Sequence, residues 1–323
     1  MCYNKKKELH GRCFAEHTAP NCTNEKRAAG LSAPPAANAP GSTQTQMENH
    51  SVCKRGLFIM YYFDYHIHSH FSVDSQAAAD SLCRAAVKCG MREIAITNHF
   101  DPTAADENCL HDYDADAAEQ EIRDVQEKWQ GRLTVRYGLE LGQAHKYRAA
   151  AARILTRPFD YVIGSLHNIE GDLDIALVRY NQFNYDVFEQ YYRELLALSR
   201  ETCYDCLGHL DYPKRYAAVQ KFPYTERKYM DYIRAILKQL IENGKGIELN
   251  TSGLRQQVGT TLPSKTILRL YRDMGGEIIT TGSDAHVPHA VGQHIAEAQE
   301  LLRTLGFRYV TTFEAHKPTM IKL

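Results

Sequence analysis

Three alternate histidines follow an apolar run: Phe58-Ile59-Met60-Tyr61-Tyr62-Phe63 leads into Asp64-Tyr65-His66-Ile67-His68-Ser69-His70. Residues two apart on an extended strand project from the same face, so His66 and His68 point at one spot. Two neutral imidazoles held that way are half of a metal site. A chain with 15 histidines also produces clusters by chance, so the reading depends on whether further ligands fall where a fold delivers them.

The elements that would position such ligands alternate along the chain. Short apolar runs predict strands at Tyr61–His66, Glu93–Thr97, Thr134–Glu140, Tyr161–Ser165, Asp205–His209, Gly246–Asn250 and Glu277–Thr281. Between them, Tyr185–Glu201 repeats Phe188, Tyr191, Leu195 and Leu198 at helical spacing. Thr225–Asn243 does the same before the stop at Gly244, Ser264 caps Lys265–Met274, and a last helix covers 295–305. Strand–helix alternation on this scale points to an α/β fold, a β/α barrel rather than an open sheet, although periodicity alone leaves a doubly wound sheet open.

Barrels of this kind gather their chemistry at the C-terminal ends of the strands. Those ends carry His66 and His68 with Asp74 in the loop beyond, then His99, Glu140, His167, His209, and the pair Asp284 and His286. Any one of these could be a capping or hydrogen-bonding residue; together they are hard to assign to chance. Nine ligand-type side chains exceed the three or four that one tetrahedral ion uses, which implies two or three divalent ions with a carboxylate such as Glu140 bridging. Mixed imidazole and carboxylate ligation suits zinc, iron or manganese.

Composition narrows the class. Lys+Arg 38 against Asp+Glu 39 argues against a nucleic-acid or anionic-membrane surface, and no apolar run is long enough to span a bilayer. An odd count of 9 cysteines without framework spacing suits a reducing cytoplasm, and Cys203 and Cys206 read as ordinary thiols. Residues 1–57, with their Ala/Pro-rich stretch at 33–42, lack any periodicity and are expected to be a disordered extension, with Met60 as the true start and residues 58–323 as the functional domain.

The motifs closely resemble the polymerase-and-histidinol-phosphatase (PHP) superfamily, in its monofunctional histidinol-phosphatase branch. The resemblance runs from Met60 to Leu323 through the opening His-x-His, Gly-Leu-Glu, Ser-Leu-His-Asn, Gly-His-Leu-Asp, Asn-Thr-Ser-Gly-Leu-Arg and Gly-Ser-Asp-Ala-His. It implies a distorted seven-stranded (β/α)7 barrel with a trinuclear centre. Carried over by position, one ion would take His66, His68, Glu140 and Asp284. A second would share Glu140 and take His167 and His209, and a third would take Asp74, His99 and His286. Many relatives have histidine where Asp74 stands, and Asp74 could instead cap the helix beginning near Gln76.

The resemblance further implies hydrolysis of a small phosphate ester, L-histidinol phosphate in histidine biosynthesis. Metal-activated water suits so slow a reaction, and Asp284 could hold the nucleophilic water. A phosphate also needs cationic donors. Arg255, with Ser252 beside it, follows the one strand end without a ligand and is the first choice; Arg215 comes next, with Lys214 adjoining. His70 lies beyond the strand end and reads as substrate-facing or supporting a ligand; His294 reads as a surface residue. Other readings are a PHP phosphoesterase acting on a nucleotide or sugar phosphate, an amidohydrolase, and a non-catalytic PHP module. The complete ligand set opposes the last of these. Oligomeric state is not legible.

Overall fold

The computed structural model describes residues 61–107, 113–180 and 186–323. The expected extension over 1–57 and the start at Met60 lie outside the described residues. Seven parallel strands pair in the order β1 (Phe63–Ile67), β2 (Glu93–Phe100), β3 (Thr134–Gly142), β4 (Tyr161–Ser165), β7 (Cys206–Leu207), β8 (Gly246–Asn250) and β9 (Ile279–Gly282). β5 (Asn168–Ile169) and β6 (Leu173–Asp174) form a small antiparallel hairpin after β4. The sheet curls until its edges meet. His68 N–H donates to the Ala285 carbonyl at 2.8 Å, and Asp284 N–H donates to the His66 carbonyl at 2.8 Å. The buried Asp64 carboxylate accepts from the Ser283 and Gly292 amides, each at 2.8 Å. The result is the expected distorted (β/α)7 barrel, nearly closed.

All five residues of β1 are buried, as a strand covered on both faces requires. Between Asp64 and Ile67 the register against β2 slips. An irregularity of that kind re-aims side chains, and here Tyr65 and His66, adjacent in sequence, both reach distant strands. The Tyr65 ring packs 5.0 Å from the Tyr161 ring, and the His66 ring lies 5.7 Å from that of His209.

The helices follow their apolar stripes. Val187–Leu198 buries Phe188, Tyr191, Leu195 and Leu198, and the Asp186 carboxylate caps it by accepting from the Phe188 and Glu189 amides. Met230–Glu242 buries Ile233, Ile236, Leu237 and Leu240, and stops before Gly244 at φ +66°. Ser264 caps Lys265–Asp273 by accepting from Ile267 N–H, as the sequence predicts. Cys203 and Cys206 are free thiols, half-buried and buried. Among the described residues no helix is long and apolar enough to cross a membrane.

The C-terminal pair of strands is not anticipated. β10 (Tyr309–Glu314) and β11 (Lys317–Lys322) form an antiparallel hairpin that packs against β9. Its two turn residues, Ala315 and His316, have φ of 47° and 63°. Such turns favour Asn-Gly or Asp-Gly, so Ala-His gives no turn signal in the sequence. The hairpin is docked through Tyr65, whose hydroxyl lies 2.5 Å from Glu93 Oε1 and accepts from Phe313 N–H at 2.9 Å. Tyr65→Phe strips both groups of a buried partner and should cost about 1–3 kcal/mol of stability in urea unfolding; a loss below about 0.5 kcal/mol would show that the hairpin is held by apolar packing instead.

Candidate metal centre

The C-terminal ends of β1, β2, β3, β4 and β9, with the loop after β7, bring eight of the nine expected ligands together, and the loop after β1 adds Asp74. The rings of His66 and His68 are oriented from behind. His66 Nδ1 lies 2.7 Å from Glu248 Oε1, and His68 Nδ1 lies 3.0 Å from Ser72 Oγ. Each Nε2 therefore turns inward, to 3.1 Å and 3.5 Å from Glu140 Oε2. Asp284 Oδ1 stands 3.5 Å from His68 Nε2 and 3.9 Å from His66 Nε2.

The other carboxylate oxygen of Glu140 faces a second group. Its Oε1 is 2.9 Å from His209 Nε2 and 3.2 Å from His167 Nε2, and accepts from Ser165 Oγ at 2.7 Å. A third group surrounds Asp74, whose Oδ2 is 3.2 Å from His286 Nε2 and 3.7 Å from His99 Nε2. The His68 ring is stacked between His99 and His286 with centroids 4.3 Å and 4.1 Å away. Asp74 does not cap a helix; the helix that follows it runs Ala79–Lys88 after Ala78.

Chemistry of the donor set fits divalent metal. Glu140 Oε2, His66 Nε2 and His68 Nε2 are buried, crowd one another and make no hydrogen bond among the described residues. Orphaned acceptors at this density are costly unless a cation joins them. Donor atoms of His66, His68 and Glu140 lie within 4.8 Å of one another, as do those of Glu140, His167 and His209, of His68, His99 and His286, and of His99, Asp101 and His167.

The electrostatics are those of a coupled cluster. Burial alone would push the His66 imidazole down, but Glu248, Glu140 and Asp284 outweigh it and hold the ring well above the usual histidine range. His99 is raised in the same way, against burial, by Glu140 and Asp74, and His167 is raised to about 9, against burial, by Asp101 and Glu140. His68 goes the other way, driven well below the usual range by burial and by the neighbouring His286 and His99. Burial would raise the Glu140 carboxyl, yet His66, His99 and His167 hold it well below the carboxylate range.

Beside the cluster stand the expected phosphate-binding groups. Arg215 is buried, with Nη2 donating to Asp284 Oδ2 at 2.8 Å and to Ser252 Oγ at 2.6 Å. Arg255 donates from Nη2 to the Ser283 carbonyl at 2.6 Å. Arg215 Nε and Arg255 Nη1 have no hydrogen-bond partner among the described residues, so each fork keeps a donor. Of the two, Arg215 touches a ligand-type carboxylate directly. Lys214 is committed elsewhere, to Asp211 at 2.6 Å and the Thr261 carbonyl at 2.7 Å.

His70 stays outside the cluster, exposed and 3.6 Å from Glu121. His294 is partly exposed at the start of the last helix, and His111 lies outside the described residues. Two carboxylates escape the sequence reading. Asp101 Oδ1 is 2.7 Å from His167 Nδ1, and Glu248 supports His66. Asp101 lies just past the β2 end and could have been found there; Glu248 sits inside a strand and gives no comparable signal.

A family model described as PHP domain matches residues 64–252. The chain is 30% identical over 270 residues to the histidinol-phosphatase of Lactococcus lactis subsp. lactis, covering 79% of this chain and 95% of that protein. It is 28% identical over 261 residues to a probable histidinol-phosphatase of Thermotoga maritima, covering 80% of this chain and 99% of that one. Among solved structures, the histidinol phosphate phosphatase of L. lactis complexed with zinc, L-histidinol and phosphate aligns at a TM-score of 0.66 and 26% identity, over 80% of this chain and 98% of that chain.

Protons on His66, His99 and His167 compete with metal, so affinity should be lost as pH falls and gained as pH rises through their raised range. Removing metal with a chelator should lower the melting temperature, and the gap between stripped and zinc-reloaded protein should widen from pH 6 to pH 8, with saturation at about 100 Kd contributing about 2.7 kcal/mol. Identical melting of the two forms at both pH values would contradict a metal centre here.

Proposed function

The chain belongs to the PHP family, and on that footing we propose that it is a metal-dependent phosphatase hydrolysing L-histidinol phosphate to L-histidinol and phosphate. One observation carries the chemistry: a buried carboxylate, Glu140, within 3.5 Å of five imidazoles, with two arginines holding donors in reserve nearby. The substrate follows from a relative that is a histidinol-phosphatase and from a solved histidinol phosphate phosphatase holding zinc, L-histidinol and phosphate.

In this reading His66, His68, Glu140 and Asp284 hold one ion, Glu140, His167 and His209 a second, and Asp74, His99 and His286 a third, with zinc, iron or manganese all compatible. When bound, such ions supply an acidified water and positive charge for the phosphoryl oxygens. The chain's own groups do the rest. Asp284 is bound from behind through Oδ2 by Arg215, Ser252 and Asn250, which leaves Oδ1 aimed at the His66 and His68 side to orient the attacking water. Asp284 adopts a φ of 56°, a left-handed conformation that Asp tolerates, and that turn lets its amide reach the His66 carbonyl. Arg215 Nε and Arg255 Nη1 bind phosphate oxygens, with Ser252 fixing the Arg215 fork. The cytoplasm is the compartment we assign, from cysteine usage.

Two measurements check this. Phosphate release from L-histidinol phosphate should exceed that from a panel of nucleotide and sugar monophosphates in kcat/KM; an equal or lower value would remove the substrate while sparing the phosphoesterase. Arg255→Ala should raise KM or lower kcat/KM with metal content intact, by about 10- to 100-fold if a charged hydrogen bond of ~1.5–3 kcal/mol is lost; unchanged kinetics would take Arg255 out of the site.

A further inference from the structure

β8 is the strand whose end carries no expected ligand, yet its inward residue Glu248 is buried in the wall of the centre. Its Oε1 lies 2.7 Å from His66 Nδ1, and its Oε2 accepts from His209 N–H at 2.9 Å and from Asn250 Nδ2 at 3.2 Å. Both partners of Oε2 are obligate donors. The His209 amide can only donate, and the Asn250 side chain cannot be turned round because its Oδ1 accepts from Ser252 N–H at 2.9 Å. The space is kept open by a glycine on the neighbouring strand β9. A Cβ at Gly282 would fall 2.2 Å from Glu248 Oε1 and 2.4 Å from His66 Cβ.

We propose that Glu248 is a positioning residue that holds a proton on His66 Nδ1, so that Nε2, turned toward Glu140, is the nitrogen a metal would take, and that ties His66 to His209 across the two ligand groups sharing Glu140. An outer carboxylate that accepts from a ligand imidazole fixes its tautomer and orientation. Here the same carboxylate also anchors the backbone of a ligand from the second group, so one residue sets the relative placement of both. The proposal rests on the metal reading given above.

Glu248→Gln separates hydrogen-bond polarity from shape. With two fixed donors at the Oε2 position, the glutamine must keep its carbonyl there and turn its amide N–H toward His66 Nδ1. That opposes a proton on Nδ1 and favours one on Nε2, where it blocks a metal. Zinc binding to the metal-stripped chain, measured per folded chain by competition with a chromophoric chelator, should weaken about 10- to 100-fold in the variant. Nitrogen-15 NMR of the zinc-loaded parent should show a proton on Nδ1 of His66; finding none overturns the proposal whether or not the variant folds. Equal zinc affinity in parent and variant overturns it while leaving the metal reading intact. A parent that binds no zinc removes both. A variant destabilised without zinc yet unchanged in affinity per folded chain assigns Glu248 a purely structural role and overturns the proposal.

Discussion

Glu140 is buried completely, and five imidazoles approach its two oxygens: His66, His68 and His99 at Oε2, His167 and His209 at Oε1. A carboxylate so placed is tolerable only if positive charge is supplied on both sides. Every other feature of the open end answers that requirement. The carboxylate is delivered by β3, near the middle of the sheet order, with the histidines of β1 and β2 on one flank and those following β4 and β7 on the other. Closing the sheet brings Asp284 and His286 against β1 and completes the ring of ligand-type side chains.

That arrangement depends on parts far from the chemistry. The slip in register on β1 lets Tyr65 and His66 work at two levels, one in the aromatic layer that docks the C-terminal hairpin and the other in the ligand cluster. Behind the ligands lies a layer of fixed acceptors. Glu248 serves His66, Asp101 serves His167 and Ser72 serves His68, while Arg215 and Ser252 secure Asp284. Each ring is thereby presented with one nitrogen engaged and the other turned inward, which is how imidazole ligands are pre-oriented.

Much of this was legible in the residues. Strand ends are marked by the change from apolar run to Gly, Ser or Asn, and ligand-type side chains sit near those changes, so the sequence pattern and the clustered geometry coincide at His66, His99, Glu140, His167, His209 and Asp284. What stayed hidden depends on depth rather than pattern. Glu248 lies two residues inside β8 and reads as an ordinary strand position until its neighbour Gly282 is seen to leave room for it. Arg215 and Arg255 follow different strands at similar offsets, and only the fold shows which one meets Asp284. The β10–β11 hairpin lacks turn chemistry that a sequence displays, because its left-handed pair is Ala315-His316.

The central claim is that Glu140 lies between metal ions, and anomalous diffraction from a zinc-loaded crystal tests it most directly. The account predicts peaks on both sides of the Glu140 carboxylate, each at about 2.0–2.2 Å from one of its oxygens and from the nitrogens of at least two of the five surrounding histidines. Zinc peaks confined to other parts of the molecule, with the Glu140 oxygens bonded only to protein hydrogens, would contradict it.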